Sequence, residues 1–264
     1  MTYTQALVLG VVQGLTEFLP VSSSGHLVLV PRLFGWPDQG LGFDAAMHLG
    51  TLGALLAYFR VELIELATGV LARRLAVLLL AASVPALAVG WLAHAWLEDN
   101  LRSPLIIAAA TAAWGLVMWW ADRRAVTAAR PGPDDPLARV GWGQSLFVGC
   151  AQVLALVPGT SRSGITISAG LFARLDRATA ARFSFMLGIP VTGAAGAYKL
   201  LHLLHDGIQP GEAGPLALAI VVAFGSGWLA VWFLVNYLKR RSLWPFVVYR
   251  LILAAVILLV ILRA

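Results

Sequence analysis

Long apolar runs alternate along the chain with short polar breaks. Six runs are long enough to cross a bilayer, at roughly 43–66, 75–96, 104–121, 183–204, 214–238 and 244–262, where a helical span needs about 20 residues. Two further apolar stretches, 3–34 and 142–173, are interrupted at mid-length by polar loops: Pro20-Val21-Ser22-Ser23-Ser24-Gly25-His26 and Pro158-Gly159-Thr160-Ser161-Arg162-Ser163-Gly164. Each stretch reads as two half-length helices forming a re-entrant hairpin, because irregular polar backbone is tolerated at membrane depth only against protein or trapped water.

The two halves repeat. A step of 139 (152 − 13) pairs Gln5 with Gln144, Leu7 with Leu146, Gly10 with Gly149, Gln13 with Gln152 and Leu15 with Leu154. The same step pairs Ser22 with Ser161, Ser24 with Ser163 and Gly25 with Gly164. The pattern predicts an all-α polytopic membrane protein of six transmembrane helices plus two re-entrant helical hairpins. It forms one integral membrane domain, with a first repeat over about 1–121, a linker over about 122–141 and a second repeat over about 142–264. Each unit is one hairpin and three spans. Three is odd, so the second copy inserts upside down, giving an inverted-topology repeat whose hairpin tips approach near the midplane.

Composition excludes a soluble domain: of 264 residues, 59% are hydrophobic and 12% charged, with mean hydropathy +0.82. The net charge of +6 does not point to nucleic acid, and no nucleic-acid partner is expected, because the basic residues sit in short loops between spans. Arg73, Arg74, Arg123, Arg124, Arg130, Arg139, Arg174, Arg177, Arg182, Lys239, Arg240 and Arg241 fall on one side of the six-span arrangement. Glu98, Asp99, Asp206 and Glu212 fall on the other. The positive-inside rule makes the arginine side cytoplasmic and both termini external, so the first hairpin enters from outside and the second from the cytoplasm. Cys150 is the single cysteine, so no intrachain disulfide forms. Arg32 is the first cationic side chain; without the basic start of a cleavable signal, Met1 onward is expected to be mature protein.

The hairpin tips hold the candidate chemistry. Gln13 and Glu17, four residues apart, stack on one face of the first half-helix. Pro20 ends that half-helix, and Ser22 is placed to cap the next, so that the backbone N–H groups of Ser23, Ser24 and Gly25 face inward at a positive dipole end. The second tip repeats this with Pro158 and Gly159 as breaker, Ser161 as cap, Ser163 and Gly164 in the first turn, and Arg162 where Ser23 stands in the first copy. Two helix N-termini and a guanidinium suit phosphate or diphosphate better than a carboxylate, since they supply several fixed donors. Glu17 and Arg162 also satisfy a simpler need, because an ion left unpaired at this depth costs about 2.5–3.5 kcal/mol on insertion scales. Asp44 and His48 are either supporting groups behind the site or a packed polar pair. His94, His202 and His205 read as interface or loop residues, and the ten tryptophans mostly as interfacial belt and bundle packing.

Gln13-Gly14-Leu15-Thr16-Glu17-Phe18-Leu19-Pro20-Val21-Ser22-Ser23-Ser24-Gly25-His26 and Pro158-Gly159-Thr160-Ser161-Arg162-Ser163-Gly164-Ile165-Thr166 resemble the two signature motifs of the bacterial undecaprenyl-diphosphatase, or bacitracin-resistance, family. The stretches from Phe43 to Thr51 and from Ala181 to Pro190 are also similar to it, so the resemblance runs through both halves. It implies hydrolysis of undecaprenyl diphosphate to undecaprenyl phosphate and inorganic phosphate, which recycles the lipid carrier of cell-wall synthesis, in the bacterial cytoplasmic (inner) membrane. It also implies that bacitracin competes for the substrate rather than binding the protein. Carried over by position, the catalytic residues are Glu17, Ser23, His26 and Arg162, with Gln13, Ser22, Ser24, Gly25, Ser161, Ser163, Gly164 and Thr166 on the phosphates. Either Ser23 or His26 is the nucleophile. Gln13 stands where many members have Glu, which leaves one carboxylate in the motif and only weak chelation of Mg²⁺ or Ca²⁺ through Glu17; no organic cofactor is implied. A secondary transporter or flippase for an anionic or lipid-phosphate substrate is the alternative, since inverted repeats with broken helices are also transporter architecture. Phosphatases of the phosphatidic-acid type share Ser-Gly-His and Ser-Arg, but need a histidine and an aspartate where this chain has Ser168 and Phe172.

Overall fold

The computed structural model describes residues 1–37, 41–101, 103–125, 136–206 and 211–262, and among them all regular structure is helical. The helices are α1 (Tyr3–Phe18), α2 (Ser23–Phe34), α3 (Leu41–Tyr58), α4 (Arg60–Thr68), α5 (Val70–Leu101), α6 (Pro104–Arg123), α7 (Trp142–Gln152), α8 (Arg162–Phe172), α9 (Arg177–Asp206), α10 (Ala213–Leu238) and α11 (Trp244–Leu262). Short 3₁₀ turns lie at Pro136–Arg139 and Val153–Leu156. Arg130 and the side chains of Asp44, His94, Glu98, Asp99, His202, His205 and Asp206 lie outside the described residues.

Among the described residues four segments are long and apolar enough to cross a membrane: Arg73–Ala93, Pro104–Arg123, Ala213–Leu238 and Trp244–Leu262. Of the six expected runs, 43–66 is not one continuous helix, and 183–204 is one helix that falls outside the apolar four. The run 43–66 is divided at Phe59 into α3 and α4. The cause is charge: α4 carries Arg60, Glu62 and Glu65 and buries no residue, and Glu62 accepts from Arg182 at 3.2 Å. The run 183–204 lies in a 30-residue helix, α9, which is not among the apolar four. Its buried Ser184 and Thr192 sit on a helix packed centrally against α3, so those hydroxyls face protein rather than lipid. Outward faces are apolar instead: Leu80, Val84, Trp91, Leu92 and Val221 are all exposed. Arg123 and Arg124 lie over the rings of Trp119 and Trp120 at the end of α6, an arrangement suited to a membrane interface.

Helix packing follows the 139-residue step. α1 packs on α10, and its counterpart α7 packs on α5; α6 packs on α11 and α3 on α9. Gly10 and Gly149 make the two close approaches possible: a side chain at Gly10 would meet the Ala219 carbonyl, and one at Gly149 the Ala82 backbone. Gly14 lies against Ala223 and Gly227 further along, so α1 and α10 run parallel. The Ser145 hydroxyl donates to the Leu78 carbonyl at 2.9 Å, so α7 and α5 also run parallel. Arg177 Nε donates to Asp122 Oδ1 at 2.6 Å, joining the end of α6 to the start of α9, and Arg74 donates to the Ala138 carbonyl nearby in the chain path. The starts of α5 and α9 therefore share one end of the bundle and α10 begins at the other, so α1 and α7 come in from opposite ends. Matched Gln5 and Gln144 have matched work. Each side-chain oxygen accepts the backbone N–H at the mouth of its helix, from Thr2 at 2.9 Å and from Gly141 at 3.0 Å.

Candidate active site

The two broken hairpins meet at their tips. α1 gives way at Leu19, Ser22 sits at φ 76°, and α2 begins at Ser23; in the second hairpin Gly159 sits at φ 95°, Ser161 at φ 69°, and α8 begins at Arg162. Ser22 and Ser161 are 139 residues apart, and both hold a conformation that costs a non-glycine residue about 1–3 kcal/mol. Three hydrogen bonds tie tip to tip: Gly159 N–H to Ser24 Oγ at 3.0 Å, Ser163 Oγ to the Leu19 carbonyl at 3.3 Å, and Arg162 Nη2 to Glu17 Oε1 at 3.4 Å.

Glu17 is the hub. Its Oε2 accepts from Gln13 Nε2 at 3.1 Å, as the i,i+4 spacing requires, and from Ser23 Oγ at 3.2 Å. His48 Nε2 stands 3.6 Å from the same oxygen and 3.4 Å from Gln13 Nε2. With Glu17 8% exposed, the carboxylate has almost no water to screen it and depends on these partners. Arg162 spends only Nη2 on Glu17; its Nε and Nη1 are buried with no acceptor among the described residues. Those two N–H groups are donors that no described residue uses. Thr166 accordingly serves the frame, donating to the Arg162 carbonyl at 2.7 Å and bonding Ser184 Oγ at 2.5 Å, which clamps α8 to α9.

The capping expected of the two serines differs between the tips. Ser161 Oγ accepts Gly164 N–H at 3.2 Å and caps α8. Ser22 occupies the equivalent position but makes no capping bond; its hydroxyl pairs with Ser24 Oγ at 3.2 Å, as Ser161 Oγ does with Ser163 Oγ at 3.3 Å. His26 is engaged apart from the Glu17 cluster. Its Nδ1 lies 2.7 Å from the Ser22 carbonyl, which can only accept, so Nδ1 carries the proton and Nε2 accepts from the Tyr249 hydroxyl at 2.6 Å. Both ring nitrogens are thereby occupied.

Sequence reasoning missed three contributors. Tyr249 and Arg250 lie in the apolar run of α11, where the signal was a lone arginine among aliphatics. The third is Gly188 on α9, whose missing side chain leaves the space that the Arg162 guanidinium fills; a Cβ there would collide with Nη1. Gly188→Ala is therefore expected to displace the guanidinium and lower turnover by about 10²-fold, the scale of a 1 Å misplacement, with the protein still folded. Steady-state kinetics beside a thermal melt in detergent checks this, and unchanged turnover would detach Gly188 from the site.

A family model described as bacitracin resistance protein BacA matches residues 6–256. The chain is 45% identical over 268 residues to undecaprenyl-diphosphatase 2 of Stutzerimonas stutzeri (strain A1501), covering 98% of both chains. It is 43% identical to the undecaprenyl-diphosphatase of Pelobacter propionicus (strain DSM 2379 / NBRC 103807 / OttBd1), covering 99% of this chain and 98% of that one. It is 46% identical to that of Moorella thermoacetica (strain ATCC 39073 / JCM 9320), with 98% of each covered.

Proposed function

The chain belongs to the bacitracin resistance protein BacA family, and we infer that it is an integral membrane undecaprenyl-diphosphatase. It hydrolyses undecaprenyl diphosphate to undecaprenyl phosphate and inorganic phosphate, returning the lipid carrier of peptidoglycan synthesis to use. Bacitracin resistance follows, with the antibiotic competing for the lipid substrate rather than binding the protein. The observation that carries the mechanism is the Ser23 hydroxyl donating to a carboxylate, Glu17, that is also paired across the hairpins with Arg162.

The terminal phosphate is held by Arg162 through the donors that Glu17 leaves open, with the N-terminal amides of α2, Ser24 and Ser163 around it. As phosphate draws the guanidinium, Glu17 is released to act as base. It takes the Ser23 proton while Ser23 Oγ attacks the terminal phosphorus. The bond to the bridging oxygen breaks, and undecaprenyl phosphate leaves with the proton from Glu17. Water then attacks the phosphoserine, giving its proton to Glu17, which returns one to Ser23 Oγ as inorganic phosphate departs. Ser23 is favoured over His26 as nucleophile because both nitrogens of His26 are already bonded; His26 holds the start of α2 instead. Gln13 Oε1, buried without a donor among the described residues, and the Glu17 carboxylate are the oxygens that would hold Mg²⁺ or Ca²⁺. Phosphate and water would complete the ligands, and the ion would withdraw charge from the phosphoryl group. Among the described residues there is no cluster of three or more His, Cys, Asp or Glu to chelate a metal alone.

The architecture proposed is six spans and two re-entrant hairpins in an inverted repeat, in the cytoplasmic membrane with both termini external. The opposite entry of α1 and α7 and the paired packing of counterpart helices support it. The positive-inside rule orients it, opening the site to the outer leaflet. Since Cys150 is exposed, single cysteines are placed on a Cys150→Ser background. Cysteine at Gly132 is expected to resist a membrane-impermeant thiol reagent in intact cells, and cysteine at Asn100 or Gly211 to react; the reverse pattern overturns the orientation. The enzyme itself is tested by phosphate release from undecaprenyl diphosphate by the purified protein. A transporter or flippase would release none.

A further inference from the structure

Arg250 has no part in the mechanism above, yet it is fully buried in the most apolar helix of the chain. Its Nε donates to the Thr111 carbonyl at 3.0 Å and its Nη2 to the Gly159 carbonyl at 2.9 Å. Nη1 is buried with no acceptor among the described residues. That nitrogen points at the first turn of α8: the place a Cβ would take on Gly164 lies 3.3 Å from Arg250 Nη1 and 3.2 Å from Ser161 Oγ. A cation therefore stands at the positive end of a helix, where each raises the need for a negative charge. The one carboxylate ion-paired at the tips, Glu17, is turned to Arg162. Arg250 follows Thr111 by the same 139 residues by which Arg162 follows Ser23, so the second repeat supplies a guanidinium at two positions where the first has hydroxyls.

We propose that Arg250 Nη1, Ser161 Oγ and the N-terminus of α8 form a second phosphate subsite. It takes the lipid-linked phosphate of the substrate while Arg162 holds the terminal one. The assignment rests on the diphosphatase reading, and it fits the leaving group: charge that builds on the bridging oxygen as the bond breaks falls on the phosphate beside Arg250.

Inorganic phosphate and inorganic diphosphate, as competitive inhibitors of the purified enzyme, separate the two subsites. In the wild type, diphosphate is expected to bind about tenfold or more tightly than phosphate, because it reaches both guanidiniums. Arg250→Gln is expected to bring the two constants within about twofold of each other by weakening diphosphate alone, with phosphate inhibition unchanged. Thr111→Val, which removes the other donor to the Gly159 carbonyl, is expected to keep the wild-type ratio. A purely structural Arg250 would weaken both inhibitors together, and Thr111→Val would do the same; that result overturns the proposal. If Arg250→Gln does not fold, the wild-type ratio decides, and equal binding of the two anions overturns it. Absence of phosphate release from the lipid by wild type would instead strike the diphosphatase reading, which this ratio does not test.

Discussion

Ser23→Ala and Glu17→Gln are each expected to lower turnover by about 10³-fold or more, and the double mutant to be no slower than the slower single one, as for residues that act as a unit. The hydroxyl is a weak nucleophile until its proton is taken, and Glu17 Oε2, 3.2 Å away, is the base within reach. Removing either partner removes the same step, so their losses do not multiply. Glu17→Gln also leaves Arg162 without its carboxylate, so a thermal melt must accompany the kinetics. Losses that multiply in the double mutant would mean the two residues act separately.

Arg162→Lys is expected to cost about 10²–10³-fold in turnover, comparable to loss of a fixed transition-state donor. The ammonium keeps the charge and can still pair with Glu17, so the hairpins stay joined and the protein folds. It cannot supply the donors that Nε and Nη1 now hold unpartnered. Phosphate inhibition should weaken in parallel with turnover. Near-wild-type rates would remove Arg162 from the phosphate and leave it a structural ion pair.

What the chain's pattern revealed and what it hid divide along the range of the interaction. Gln13 over Glu17 is a property of one helix turn, and the hairpin breaks at Pro20 and Pro158 are local backbone chemistry; both were legible. The cross-tip contact of Glu17 with Arg162 spans 145 residues and was reachable only because the 139-residue repeat implied that the tips converge. Symmetry also misled. Ser161 caps its helix and Ser22 does not, although each pairs with the serine two residues on and each of those serines is bonded across to the other hairpin. The division of 43–66 at Phe59 was visible in Arg60, Glu62 and Glu65 but outweighed by the apolar run around them. His26 was read with its motif, whereas its ring is bound by Tyr249, 223 residues away. Gly188 and Arg250 act through space that other helices occupy, and no local pattern marks a glycine as room for a guanidinium.

The central claim is that Ser23, activated by Glu17 at the meeting of the two hairpins, takes the phosphoryl group before water does. The stereochemical course at the terminal phosphorus tests this most directly, using undecaprenyl diphosphate made chiral there with oxygen isotopes or sulfur. Two successive in-line displacements, through phosphoserine, predict net retention of configuration in the released phosphate; net inversion would mean that water attacks directly and would contradict the account.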